Sequence, residues 1–494
     1  MPAQYGPEAV PRNKYLAQRE VLDWSVRLKG VDSPQRHLVV PVLEDVAWMN
    51  PRRPTDWSVE VGRVNRSEGG GRSRSAEPVD LMIANIGELL VCPPGGLDLG
   101  LIPNAVVAVR DGRVAWVGPA RRASAAVRLG PETVVFNAGG RVVMPGLVEC
   151  HTHLGFAGHR AAEFQARVAG WSYDEIAAGG GGVLATVRAT RTAHREQLLR
   201  NVRCHLDTML GFGITTVEAK SGYGLTVEDE LRLLEVYREV DRSHAVDIVP
   251  TLLAAHVVPM EYRGRPDRYV DLVVEEIIPE VAQKRLATFC DVYCDQGFFD
   301  LDHSRRILEA ARANGMLLTL HGDQMADSGG AVLAAELEAV SASRLEQVGE
   351  EGIERLAEAG VVAQLLPGTR LSLGRSEFAP ARRLMDNGVK VALSTDFNPG
   401  TCYTENLWLM GTMASCYMHM DVTEVVRALT CHAAASLSLD TEVGSLQAGH
   451  KADVVVLDMD DHLQIPYHFG INPVRAVFKN GTLTVDHREK RTQL

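Results

Sequence analysis

The sequence contains no run of about 18 consecutive apolar residues, so no membrane-spanning helix and no membrane partner are expected. It has no basic excess either. Its 51 Lys and Arg stand against 63 Asp and Glu, a formal net charge of −12. Nucleic acid is therefore not expected as a partner, because phosphate binding needs a basic face and no Lys/Arg run supplies one locally. The eight cysteines (Cys92, Cys150, Cys204, Cys290, Cys294, Cys402, Cys416 and Cys431) are scattered and form no CxxC pair. That pattern fits neither a disulfide framework nor a zinc knuckle, and suits reduced thiols in the cytoplasm. The opening residues Met1-Pro2-Ala3-Gln4-Tyr5 lack the basic stretch and apolar core of a secretory signal. No GxGxxG follows a first strand, and the glycine run at 179–182 lacks the spacing and the lysine of a phosphate loop.

At 494 residues the chain can bury a large core with a satellite beside it. Residues 1–80 differ from the rest. They hold Pro51-Arg52-Arg53-Pro54 and a Ser/Gly/Arg run at 67–75 that reads as a linker, and they are expected to be a partly disordered extension without an assigned role, with Met82 as an alternative start. From residue 81 to 144 short β-branched runs alternate with turns such as Asp111-Gly112, and residues 436–485 repeat that style, with Asn480-Gly481 as a turn. These two pieces are expected to pair into one small β-sandwich domain. Between them, residues 145–435 alternate apolar runs at 215–218, 247–252, 291–293, 317–320, 361–366 and 389–394 with helical stretches such as 227–240 and 303–314. Repeated βα units of that extent point to a (β/α)8 barrel, in which functional residues stand just after the strands.

Several chemically capable residues stand there. His151-Thr152-His153 follows the apolar run 142–148, and residues two apart in an extended segment share one side, so both imidazoles can reach one metal. His321 directly follows 317–320. Asp396 follows 391–395 and precedes Phe397-Asn398-Pro399-Gly400, where an aspartate is by default a turn former but also sits at the end of the eighth strand. Three histidines and an aspartate suit Zn²⁺ or Fe²⁺ with one position left for water, which the metal would acidify towards neutral pH. Asp396 could also take the proton of that water and pass it to a leaving nitrogen.

The segments PGLVECHTHLGFAGHRAAEF, SYDEIAAGGGGVLATVRATR, TTVEAKSGYGL, LLAAHVVP, LHGDQ and STDFNPGT resemble the imidazolonepropionase family, cyclic amidases of histidine degradation, over about residues 80–485. GSLQAGHKADVVVLD is similar to the C-terminal signature of the wider amidohydrolase superfamily. The resemblance implies hydrolysis of the ring amide of 4-imidazolone-5-propanoate to N-formimidoyl-L-glutamate. It implies one zinc or iron ion per subunit on His151, His153, His321 and Asp396, with Asp396, His256 and Gln324 in catalysis. It implies substrate contacts from Arg160, Tyr223, His256, Gln324, Asn398, Gly400 and Thr401, and a homodimer. Arg160 would fork onto the propanoate carboxylate, Tyr223 would reach the ring from its glycine-flanked turn, His256 would donate to a substrate oxygen, and Gln324 would bond the ring through its amide. Lys220 matches a lysine that is carbamylated in dinuclear relatives. The family resembles the mononuclear branch, so that role is not assigned here.

One position departs from the family pattern. Where a histidine is expected, in a stretch like Ser-x-Asp-His-Leu-Glu, this chain has Ser341-Ala342-Ser343-Arg344-Leu345-Glu346. Arginine stays protonated, so it is neither a base nor a ligand, though its charge can stabilise an oxyanion. Three readings stay open: a reorganised site, a different cyclic amide or imidazolone-like ring, or an impaired homologue.

Overall fold

The computed structural model describes residues 77–487 other than 173, 174, 177 and 178. The expected N-terminal extension, with its run at 67–75, lies outside the described residues except for its last four. Four strands open the described chain: β1 (Val79–Leu89), β2 (Ile102–Arg110), β3 (Arg113–Pro119) and β4 (Leu129–Pro145). Eight occupy the middle: β5 (Leu147–Glu149), β6 (Ile214–Lys220), β7 (Asp247–Ala255), β8 (Phe289–Cys294), β9 (Leu317–Gly322), β10 (Ser341–Arg344), β11 (Val362–Leu365) and β12 (Val391–Leu393). Three close it: β13 (Val454–Leu457), β14 (Val474–Lys479) and β15 (Thr482–Asp486).

The first and last groups form one seven-stranded sheet in the order β15-β14-β13-β4-β1-β2-β3. Its neighbours are antiparallel except β1 and β4. The β-rich unit expected from the two ends of the sequence is this single mixed sheet. Alternate side chains of its strands, among them Ile83, Val107, Phe136, Val454 and Phe478, bury one face together. Both expected turns are tight hairpins with two successive residues at positive φ: Asp111 and Gly112 at 52° and 72°, Asn480 and Gly481 at 47° and 74°.

The middle strands form a parallel sheet in sequence order, β5 to β12. A bridge between Thr152 and Phe397, with the His153 amide donating to the Phe397 carbonyl at 2.9 Å, joins its two ends into a nearly closed barrel. All six apolar runs read from the sequence overlap its strands, those at 361–366 and 389–394 extending past β11 and β12. The apolar run 142–148, which reads as one piece, is divided between β4 and β5. The break is at Gly146, where a Cβ would lie 2.2 Å from Thr215 Oγ1, so only glycine lets the chain cross from one sheet to the other against β6. The helix read at 227–240 is Val227–Asp241, opened by the Thr226 hydroxyl accepting from the Asp229 amide; that at 303–314 is Leu301–Ala313, capped by Asp300. Among the described residues no helix is long and apolar enough to cross a membrane.

Candidate active site

His151, Lys220, His256, His321, Arg344 and Asp396 stand at or just beyond the C-terminal ends of β5, β6, β7, β9, β10 and β12, the face where barrel loops converge. The ring nitrogens of His151, His153 and His321 come within 4.8 Å of one another. Asp396 Oδ1 lies 3.7 Å from His151 Nε2 and 3.4 Å from His153 Nε2. The structure thus brings the four expected ligands together, all of them buried.

A metal fits this group. His151 Nε2, His321 Nε2 and Asp396 Oδ1 are buried without a hydrogen-bond partner among the described residues. Buried polar atoms are rarely left so, and three that converge are accounted for by an ion that they would ligate. The Nδ1 atoms of His151 and His321 face orienting partners. His151 Nδ1 donates to Gln364 Oε1 at 3.2 Å, and Gln364 is fixed by its own bonds to the Cys150 carbonyl and Ser436 Oγ, both at 3.1 Å. His321 Nδ1 is 2.9 Å from Asp291 Oδ2, which Lys220 Nζ reaches at 2.8 Å. Such outer partners fix the tautomer that turns Nε2 inward. Burial pushes the His151 imidazole well below its usual range and His321 to about 4, so both are neutral, as ligands must be. Lys220 also pairs with Glu218 Oε1 at 2.9 Å. Its ammonium is thus held between two carboxylates.

Burial would raise the Asp396 carboxyl. Arg344, and after it His153 and Thr369, outweigh that and hold it well below the usual carboxylate range. Arg344 Nη1 lies 2.8 Å from Asp396 Oδ2, and the Thr369 hydroxyl donates to the same oxygen at 2.7 Å.

Above this cluster opens a cavity of about 570 Å³. Arg160, Tyr223, His256, Gln324, Asn398 and Thr401 line it, six of the seven expected substrate contacts. The seventh, Gly400, is the floor under Arg160: a Cβ there would fall 0.9 Å from Arg160 Nη2. Asn398 holds the loop, its Oδ1 accepting from the Gly400 and Thr401 amides, both at 2.8 Å. His256 Nδ1 donates to the Gly222 carbonyl at 3.0 Å. Since burial, and after it His153 and His321, keep this ring neutral, the bond leaves Nε2 as an acceptor. Gln324 Oε1 accepts from the Tyr293 hydroxyl, so its NH₂ group is the free end.

Sequence reasoning missed Gln364, Asp291, Tyr293 and Thr369, whose roles depend on contacts between elements far apart in the chain. It also missed Arg167, Arg370 and Arg375 in the cavity wall. For Arg167 a signal existed, since it follows Arg160 by two helical turns. With Arg160 and Arg344 the cavity has five arginines and, among its lining residues, one carboxylate, Glu377. In a chain of net charge −12 this is a local field that draws anions.

Residues 142–484 match the model of the amidohydrolase family. The imidazolonepropionase of Symbiobacterium thermophilum is 46% identical over 421 residues, 84% of this chain and 99% of that protein. The imidazolonepropionase of Alkaliphilus metalliredigens is 44% identical over 416 residues, 83% and 98% of the two chains. This chain belongs to the imidazolonepropionase family of amidohydrolases. Solved structures of other amidohydrolase-fold enzymes share its architecture. A zinc-bound adenosine deaminase from Xanthomonas campestris has a TM-score of 0.62 at 20% identity, covering 84% of this chain and 94% of its own. A triazine hydrolase variant has a TM-score of 0.64 at 17% identity, covering 82% and 94%.

Proposed function

We propose that this chain is a metal-dependent cyclic amidase that opens the ring of 4-imidazolone-5-propanoate to give N-formimidoyl-L-glutamate, within histidine degradation. The observation that carries the reading is the convergence of three partnerless ligand atoms beneath a cationic cavity lined by the expected contacts. The likeness to imidazolonepropionases over more than four fifths of the chain supports the ring.

His151, His153, His321 and Asp396 would hold one zinc or iron ion per subunit, which supplies Lewis acidity that makes water a nucleophile near neutral pH. The chain's own groups do the rest. Arg160 takes the propanoate carboxylate, with Arg167 beside it: the two guanidiniums share the Gly400 loop, where Arg167 Nη2 donates to the Gly400 carbonyl at 3.3 Å. Tyr223, raised in pKa by burial and therefore a neutral phenol, packs against the ring. The free NH₂ of Gln324 donates to a ring acceptor. Proton movement falls to Asp396 and to the acceptor Nε2 of His256. Water's oxygen bonds the carbonyl carbon first; the amide C–N bond then breaks, and the leaving nitrogen takes up the proton that water releases. The eight cysteines are free thiols, which supports a reducing, cytoplasmic setting. We also propose a homodimer, from the family resemblance, to be checked by light scattering.

Arg344 favours one second reading, hydrolysis of a related imidazolone-like ring. Both are tested by generating 4-imidazolone-5-propanoate in place with urocanase and following its absorbance. Faster decay with the protein, and N-formimidoyl-glutamate in the mass spectrum, are expected. Decay no faster than the protein-free control overturns the specific assignment.

A further inference from the structure

Arg344 ends β10 with 5% of its surface exposed and lines the same cavity as His256 and Gln324. Its Nη1 is spent on Asp396 Oδ2 at 2.8 Å and on Thr369 Oγ1 at 3.2 Å. Since Thr369 also donates to Oδ2, one carboxylate oxygen is held from two sides. The other, Oδ1, is thereby left among the histidines without a hydrogen bond among the described residues. Arg344 Nε is itself buried and has no hydrogen-bond partner among the described residues. A buried guanidinium N–H with no acceptor among the described residues, on a residue that lines the reaction cavity, is an unspent donor.

The local backbone is shaped around this side chain. Arg344 and Leu345 have φ of +78° and +64°, two successive residues in the left-handed region that side chains rarely adopt. The Leu345 amide donates to the Gly322 carbonyl at 3.0 Å, which anchors the turn to the end of the strand that carries His321. Strain of this kind persists where the surroundings enforce it, and it clusters at functional sites.

We propose that Arg344 is a catalytic group of this site with two linked tasks. It clamps Asp396 through Oδ2, so that Oδ1 is presented to the metal, and its free N–H stabilises the anionic oxygen formed when water adds to the ring carbonyl. This rests on the ring-amide reading above. In the step concerned, water's oxygen bonds the carbonyl carbon and the C=O π pair moves onto the carbonyl oxygen, which Arg344 receives. The proton that water loses goes to an acceptor of the site. The pair then returns, the C–N bond breaks, and the nitrogen takes that proton. Arg344 stays protonated throughout and acts only as a donor. The arginine is then an adapted part of the machinery, although the family pattern has a histidine there.

The test uses the metal-loaded protein and the variants R344M, R344K, R344H and T369V. Two quantities are read for each: kcat and KM for the ring substrate that the parent opens, and the rate at which metal passes into a chelator. For R344M the expected fall in kcat is roughly 100- to 1,000-fold, as for a lost oxyanion donor, with KM within about 3-fold. Its metal loss should speed up by about 10-fold or more, as for a lost ligand-orienting partner. R344K should recover part of both, T369V should speed metal loss and lower kcat by less than R344M does, and R344H should be slower than the parent. An R344M variant within about 3-fold of the parent in kcat and in metal loss, or an R344H variant faster than the parent, overturns the proposal. A parent that opens no ring amide sinks the functional reading instead, and the metal-loss comparison still decides the clamp: equal loss rates for parent and R344M overturn it.

Discussion

Two regions of this molecule bury the same kinds of side chain and leave them in opposite states. Where the seven-stranded sheet meets the N-terminal end of β7, Lys479 Nζ lies 2.6 Å from Asp247 Oδ2 and 2.7 Å from Asp453 Oδ2, and Lys451 Nζ lies 2.8 Å from Asp247. Each of these four side chains has an opposite charge beside it. At the other end of the barrel strands, His151, His321, Asp396 and Arg344 are as buried as Lys479 and Asp453 and more so than Lys451 and Asp247, yet each keeps an atom without a hydrogen bond among the described residues. Burying a charge or dipole is unfavourable in both places. At the junction the cost is offset internally, so the group serves stability. At the mouth it is left to be offset by something that binds, so the group serves chemistry.

The sharpest way to break this contrast is to substitute in each region and read both stability and activity. D396N at the mouth should lower kcat roughly 1,000-fold or more, because ligand and electrostatic partner are lost together. K479M at the junction should spare activity and cost stability. Removing one partner of a buried ion pair should destabilise the fold by about 3 kcal/mol, seen in a denaturant midpoint, with kcat within about 3-fold of the parent. A K479M variant as stable as the parent would show that the junction's pairing does not hold the two sheets together.

Between these limits lie the partners that touch only a ligand or only the substrate. D291N removes the carboxylate that orients His321, and metal affinity should fall by about 10- to 100-fold without loss of fold. R160M removes one charged partner of the propanoate; KM should rise about 30-fold with kcat nearly kept, the size of one charge-assisted bond. A fall in kcat at unchanged KM would place Arg160 elsewhere in the reaction.

The smallest effect concerns pH. Burial lowers His432 to about 4, helped by Arg427, and His321 to about 4 in the metal-free chain. Below the ordinary histidine range near 6.5 the unfolded chain binds protons that the folded chain refuses. The share of stability that these two histidines carry should therefore be flat above about pH 6.5 and fall as pH drops towards 4, by roughly 1 to 2 kcal/mol per histidine at pH 5. An H432Q variant whose urea midpoint changes between pH 7 and pH 5 just as the parent's does would contradict this.

The sequence revealed the site unevenly, for physical reasons. Ligand histidines at strand ends were legible because apolar β-branched runs lead straight into them, and the barrel followed from the repetition of those runs. β10 was not read as a strand. Ser341-Ala342-Ser343-Arg344 has no apolar signal, and it is a strand because β9 and β11 on either side satisfy its backbone. Gly146 hid a change of sheet inside one apolar run, since its reason is the proximity of Thr215, 69 positions away in the chain. Gln364 and Asp291 on strands, and Thr369 in the short helix after β11, were invisible because a polar residue becomes an orienting partner only when barrel closure brings its neighbour to it. Arg344 was legible as a departure from the family pattern, but its pairing with Asp396 needed the fold.

The most direct measurement is the metal content of the purified protein by elemental analysis, after expression with zinc and iron supplied. Close to one ion per chain, retained in K479M and lost in D396N, is the result expected if the partnerless atoms at the mouth are ligands. A parent protein with less than about a tenth of an ion per chain, or a D396N variant that keeps its metal in full, would contradict it.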